Sequence, residues 1–143
     1  MRTLIQAAKF QSILELENEI LKYPQVELQL KHDFIDGIYA RSMFIPKDTV
    51  LTGAVHAFDC FTVIRYGEMM IYTEEGIQHV KAGDMIPSKA GIKRAGYALE
   101  DTFITGFMAN PTNETDLEKI WNLYTLPNEL LTTDRKSSLL EVE

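Results

Sequence analysis

Residues 48–98 read DTVLTGAVHAFDCFTVIRYGEMMIYTEEGIQHVKAGDMIPSKAGIKRAGYA, and this stretch decides the fold. Short runs rich in Val, Ile, Thr, Tyr and Phe alternate with turn signals, the pattern of strands rather than helices. Val50–His56 follows Lys47-Asp48, Cys60–Tyr66 stops at Gly67, and Glu68–Thr73 stops at Glu74-Glu75-Gly76. Ile77–Lys81 precedes Ala82-Gly83-Asp84, and Met85–Ser88 and Lys93–Ala98 flank Gly91. Working outward, Leu28–Phe34 ends at Asp36-Gly37, Ile38–Ile45 stops at Pro46, and Thr102–Met108 closes the series. Many short strands at regular spacing, without a strand–helix–strand rhythm, predict a mainly β closed barrel or jelly roll.

Helices are predicted on both sides of this block. Phe10, Ile13, Leu14, Leu16, Ile20 and Leu21 recur at helical spacing, with Glu15, Glu17 and Glu19 at polar positions. Thr3 with Gln6 forms a capping-box pattern at the start, and Pro24 marks the end. Near the other end Thr115 and Glu118 form a second capping box. Leu117, Ile120, Trp121 and Tyr124 make one apolar face, and Pro127 ends the helix. The expected organisation is an N-terminal helix over 1–25 packed on the barrel, a barrel over 26–110, a C-terminal helix over 111–127 and a tail over 128–143.

The 143 residues suit one domain, and 45% hydrophobic residues can build a core. The formal net charge of −7 argues against a nucleic-acid partner, whose phosphates call for basic surface. No run approaches the ~20 apolar residues of a membrane helix, and no membrane partner is expected. The single cysteine, Cys60, excludes an internal disulfide framework. The N-terminus shows no signal-peptide pattern, so a cytoplasmic location is expected, in a bacterial host if a phage encodes the chain. Neither a phosphate loop nor a dinucleotide fingerprint occurs, and nothing resembles a serine-nucleophile turn.

The stretch Asp48–Ala98 resembles a cupin domain. Cupins carry two metal-binding motifs. The first runs Gly, five residues, His-x-His, three or four residues, Glu, six residues, Gly. The corresponding positions here are Asp48, Ala54, His56, Cys60 and Gly67. The second runs Gly, five residues, Pro-x-Gly, two residues, His, three residues, Asn, and the chain has Gly83, Lys89, Gly91, Arg94 and Ala98 there. The resemblance implies a cupin-type double-stranded β-helix with an N-terminal and a C-terminal helix. Three of the four ligand positions no longer carry the family's metal-binding residues. Ala54 has no donor, Cys60 stands for the carboxylate, and Arg94 stands for the last histidine; an arginine is always charged and has no lone pair to give. No cofactor is therefore expected. A divalent metal, if held, would have His56 and Cys60, with Asp59 expected on the opposite face of the strand.

The positive reading is a ligand pocket. Arg94 offers a planar fork of donors for phosphate or carboxylate, His56 can donate or accept, and Thr62 is in phase with Cys60. Tyr97, Tyr72 and Tyr39 are candidates for stacking or phenolic hydrogen bonds, or ordinary core residues with surface hydroxyls, and Arg41 joins them if its strand turns it inward. The faces of Arg41, Tyr39 and Tyr72 stay open, since a single bulge inverts them. These residues suit a small anionic, nucleotide-like ligand. The plainer readings are that Arg94 pairs with Glu100 or Asp101, that His56 is a satisfied core residue and that Cys60 is a small buried hydrophobe. His32 and His79 lie among polar neighbours and are expected in solvent, and Arg65 is expected to point outward. Three functions remain open: a non-catalytic binder, an isomerase-, epimerase- or dioxygenase-type cupin enzyme with His56 as base and a tyrosine as acid, and an interaction module with a filled barrel. A homodimer or higher homo-oligomer is expected. A narrower resemblance, carried by PQVELQLKHDFIDGIYARSMFIPKDTVLTGAVH, FTVIRYGEMMIYTEEG and AGIKRAGYALEDT, is to small cupin-like proteins of tailed phages and prophages. It implies an anti-defence or host-takeover role such as sequestering a signal.

Overall fold

The computed structural model describes residues 13–73 and 76–126. The Thr3–Gln6 cap and the tail over 128–143 lie outside the described residues. Helix α1 spans Ile13–Ile20. The strands are β1 (Gln29–Ile35), β2 (Gly37–Ile45), β3 (Val50–Thr52), β4 (Val55–His56), β5 (Cys60–Tyr66) and β6 (Glu68–Thr73). They continue with β7 (Gly76–Lys81), β8 (Met85–Ser88), β9 (Ala95–Ala98) and β10 (Thr102–Asn110), followed by helix α2 (Leu117–Tyr124) and β11 (Thr125–Leu126). Every strand pairing is antiparallel. One sheet has the order β1-β2-β10-β5-β8, a second the order β3-β9-β6-β7, and β4 pairs with β11. No helix among the described residues is long and apolar enough to cross a membrane.

The two larger sheets close on an apolar core. Met43, Ile45, Ile64, Met69, Ile71, Val80, Ile86 and Ala98 form it, because each is on the inward phase of a two-residue pleat. The expected strand Val50–His56 is broken at Gly53-Ala54, so β3 joins the four-stranded sheet and β4 is left to pair with β11. β11 follows α2 directly, before the Pro127 expected to end that helix, and was not legible as a strand.

Glycine is required at Gly67. Its φ is +93°, and a Cβ there would sit 2.4 Å from the Asp101 carbonyl oxygen and 2.5 Å from Thr102 Cα. Asp48, which stands at the first glycine position of the motif pair, also has positive φ, +67°. Asp tolerates that region better than most residues do.

Helix α1 lies against the outer face of the four-stranded sheet. Ile13 and Leu16 pack with Ala95, Met70, Tyr72 and Tyr97. Glu17, expected at a polar position, is instead buried. Its carboxylate lies 2.8 Å from Lys93 Nζ, with the two side chains only 2% and 5% exposed. It also accepts a 2.6 Å hydrogen bond from Thr52 Oγ1. Helical spacing showed which face α1 buries, but not that a lysine waits beneath it.

Two outcomes follow. Gly67→Ala should lower the unfolding free energy by about 2–4 kcal/mol, from the left-handed backbone plus the backbone clash. Gly37→Ala, at φ +78° with nothing within 4 Å, should lose only about 1 kcal/mol. Urea titration reads both, and equal losses would refute the steric account. Lys93→Met should cost about 3–5 kcal/mol by removing the buried cation beside the Glu17 carboxylate. The double variant Glu17→Leu/Lys93→Met should recover most of that loss; strictly additive losses would show that the Glu17–Lys93 charge pair is not the cause.

Candidate functional site

Strand β2 carries the site. Its inward phase runs Tyr39, Arg41, Met43, Ile45, so two apolar residues fill the core before an arginine and a tyrosine reach the open end. β5 contributes Cys60, Thr62 and Ile64 in the same manner, and β10 contributes Ile104, Gly106 and Met108. Arg94 enters from the segment before β9. Its carbonyl accepts from Gly53 N–H at 2.9 Å, and the His56 carbonyl accepts from Gly91 N–H at 2.9 Å. These two hydrogen bonds tie the two sequence motifs together side by side.

Arg41, His56, Cys60, Thr62 and Arg94 thus line one inner cavity of about 120 Å³, over a floor of aliphatic side chains. Among the described residues, side chains leave this space at one end of the barrel. Arg41 and Arg94 are partly buried. Thr62 Oγ1 lies 3.2 Å from Ser88 Oγ, and Cys60 Sγ lies 3.4 Å from His56 Nδ1. Among the described residues, no three or more His, Cys, Asp or Glu side chains gather to hold a metal ion. Asp59 precedes β5 and is exposed, and its carboxylate accepts from Ala90 N–H at 2.8 Å. Of the residues expected to pair with Arg94, Glu100 lies 3.8 Å from Lys47 Nζ and Asp101 accepts from Lys47 N–H.

A second, larger space adjoins the first. It measures about 410 Å³, and Arg41, His56 and Met108 line both. Its walls are Leu30, His32 and Tyr39 on one side and Leu117, Ile120, Trp121 and Tyr124 of α2 on the other. Helix α2 is held over the barrel mouth by Ile120 and Tyr124 packing on Tyr39 and Met108. Tyr124 Oη donates to the Ala109 carbonyl, and Ala57 N–H donates to the Tyr124 carbonyl at 2.8 Å. β11 then pairs Thr125 with His56. Burial pushes the Tyr124 phenol above its ordinary range. The helix cap is Asp116, whose carboxylate accepts from the Glu118 and Lys119 N–H groups, and not the expected Thr115.

Tyr72 and Tyr97 are not part of either space. Met69 and Ile71 occupy the inward phase of β6, which turns Tyr72 outward onto α1. Tyr97 lies on the same outer face and donates to Asp48 Oδ1 at 2.7 Å. Arg65 is outward, with its guanidinium 4.7 Å from the Phe103 ring centre. His79 is exposed and contacts Glu68.

His32, expected in solvent, is at the mouth instead. Its Nδ1 lies 2.6 Å from Tyr39 Oη, and the two rings stack. Burial, then the nearby Arg41 charge, hold the His32 imidazole below its ordinary pKa, with Asp33 opposing. A neutral ring accepts the phenol's hydrogen bond at Nδ1. Burial raises the Tyr39 pKa, with Arg41 opposing. A signal for His32 existed in the sequence: the Asp36-Gly37 turn sets Ile35 opposite Ile38, and that register puts His32 opposite Arg41. Trp121 and Glu118 were read as helix-face and cap residues, and only the docking of α2 reveals them as walls.

No protein-family model matches the sequence, and no curated protein matches it. Solved structures do. One is an uncharacterised conserved protein with a double-stranded β-helix domain from Klebsiella pneumoniae, with 16% identity, TM-score 0.53, and coverage of 68% of this chain and 90% of that one. Another is a cupin superfamily protein from Desulfitobacterium hafniense, with 11% identity, TM-score 0.51, and coverage of 66% and 86%. A third is a salicylate 1,2-dioxygenase from Pseudaminobacter salicylatoxidans, with 9% identity and TM-score 0.56, matched over 78% of this chain but 34% of that one. At these identities the likeness is one of fold.

The lowered His32 pKa predicts a pH effect. The unfolded chain takes up a proton at His32 as pH falls below about 6.5, while the folded chain resists it. Stability is therefore lost on acidification. Urea unfolding between pH 7.5 and pH 5 should show a shallower loss in His32→Gln than in the wild type. Identical slopes would show that His32 titrates alike in both states.

Proposed function

On the premise that this chain has the double-stranded β-helix fold of the cupin superfamily, we propose that it binds a small anionic, nucleotide-like ligand in the barrel. One observation carries the reading: Arg41, Arg94, His56 and Thr62 line an inner cavity that shares two of these residues with a larger, mostly apolar antechamber. The volumes support a division of roles. Ligand pockets run to about 300–1,000 Å³. The inner 120 Å³ is too small for a whole ligand and suits a phosphate or carboxylate group, whereas the antechamber's 410 Å³ suits an organic body. Guanidinium groups supply paired donors to such an anion, and His56 and Thr62 can complete its hydrogen bonds.

Capture without turnover is the leading mode. A protein of this kind would lower the free concentration of its ligand, which fits the sequestering role implied by the phage resemblance. A specific observation favours a catalytic alternative: the Tyr39–His32 hydrogen bond sets a phenol and a neutral imidazole together in the antechamber, a pairing able to move a proton. Product analysis after prolonged incubation with bound ligand separates the two modes, since a binder returns its ligand unchanged.

Calorimetric titration with nucleoside monophosphates and inorganic phosphate tests the reading. At least one nucleotide should bind, and Arg94→Ala and Arg41→Ala should each weaken it by about 10- to 100-fold, the loss of a charge-assisted hydrogen bond. Circular dichroism should show both variants folded. Binding that ignores both arginines would overturn the assignment.

A further inference from the structure

Resting on that reading, we propose that the antechamber selects a guanine base, with Trp121 as its stacking surface and Glu118 as the residue that reads it. The two charged walls of this space are of opposite sign and belong to different elements. Arg41 comes from β2 and is shared with the inner cavity, while Glu118 comes from the first turn of α2 and lines the outer space alone. This polarity orients a ligand. Its anion goes inward to the arginines and away from the Glu118 carboxylate, and its hydrogen-bond donors go outward.

Trp121, Tyr39 and Tyr124 are the tryptophan and tyrosines of the lining, beside the aliphatic side chains of Leu30, Leu117 and Ile120. A planar base is held by stacking on such a surface whatever its identity. Identity must then come from the polar residues at its edge. An ionised carboxylate only accepts hydrogen bonds. Among the described residues the Glu118 carboxylate takes part in no ion pair, its backbone N–H being the group that Asp116 caps. Guanine presents two adjacent donors, N1–H and the N2 amino group, which match the two oxygens of a carboxylate. Adenine and cytosine each present an amino group beside a ring-nitrogen acceptor, which a carboxylate repels. Uracil presents one N–H between two carbonyl acceptors. Only guanine offers a two-point match.

Trp121 is the single tryptophan of the chain, so its emission reports directly on what stacks there. The experiment titrates GMP, IMP and AMP into the full-length protein and into Glu118→Gln, Trp121→Phe and Arg94→Ala, by calorimetry and, where Trp121 is present, by fluorescence. In the wild type GMP should bind about 10- to 100-fold tighter than AMP, the discrimination of a bidentate contact, with IMP between them because it lacks the N2 amino group. Saturating GMP should change Trp121 emission. Glu118→Gln should lose at least tenfold in GMP affinity and little in AMP affinity, while Arg94→Ala should weaken all three alike. Equal affinity for GMP and AMP in the wild type, or GMP binding that leaves Trp121 emission unchanged, overturns base selection while leaving the anion site standing if Arg94→Ala still weakens binding. Failure of every nucleotide to bind overturns both.

Discussion

The pleat of one strand sets what this barrel can hold. β2 turns alternate residues inward, and the sequence places Ile45 and Met43 deep, Arg41 above them and Tyr39 at the rim. A shift of one residue would put Ser42 and Phe44 inside and Arg41 on the opposite face of the sheet. The strand is fixed on both sides against such a shift. The Asp36-Gly37 turn sets its register with β1, and nine residue pairs set it against β10. The inward gradient from apolar to cationic is therefore a property of register. The antechamber inherits it, since Tyr39, Arg41 and the opposing His32 all follow from the same pairing.

A cationic cavity inside an apolar barrel is expensive unless the charges keep polar company or some water. Here the arginines lie where the aliphatic floor ends and are partly buried rather than sealed. The structure also ties the site to α2. β11 pairs with the strand bearing His56, so the helix that walls the antechamber is joined through its own C-terminus to the inner cavity. The N-terminal helix is fastened differently, by a buried Glu17–Lys93 pair on the outer face. Lys93 and Arg94 are adjacent in sequence, and one serves the helix while the other reaches the cavity.

Parts of this arrangement were legible from residue types alone. The strands lie close to where turn residues and β-branched runs put them, and Thr62 was placed in phase with Cys60 by counting in twos. The face of Tyr72 was not legible for a physical reason: its strand has apolar residues on consecutive positions, Met69-Met70-Ile71-Tyr72, where alternation gives no phase. Glu17 was misjudged because charge in a helix pattern signals solvent until a partner of opposite charge is known. Thr115 and Asp116 are neighbours and both are good caps, so composition could not choose between them.

The sequence by itself determined that the chain would form a mainly β barrel and which residues stand at the counted spacings, Ala54, His56, Cys60 and Arg94, because both depend on local pattern. The tertiary structure decided which side chains share a space. It brought His32, Trp121 and Glu118 to Arg41 and His56, and it sent Tyr72 and Tyr97 to the far side of the sheet. The physical reason is that facing direction is set by strand register and helix docking. Those in turn are set by pairings between residues far apart in the chain, as when Thr125 meets His56.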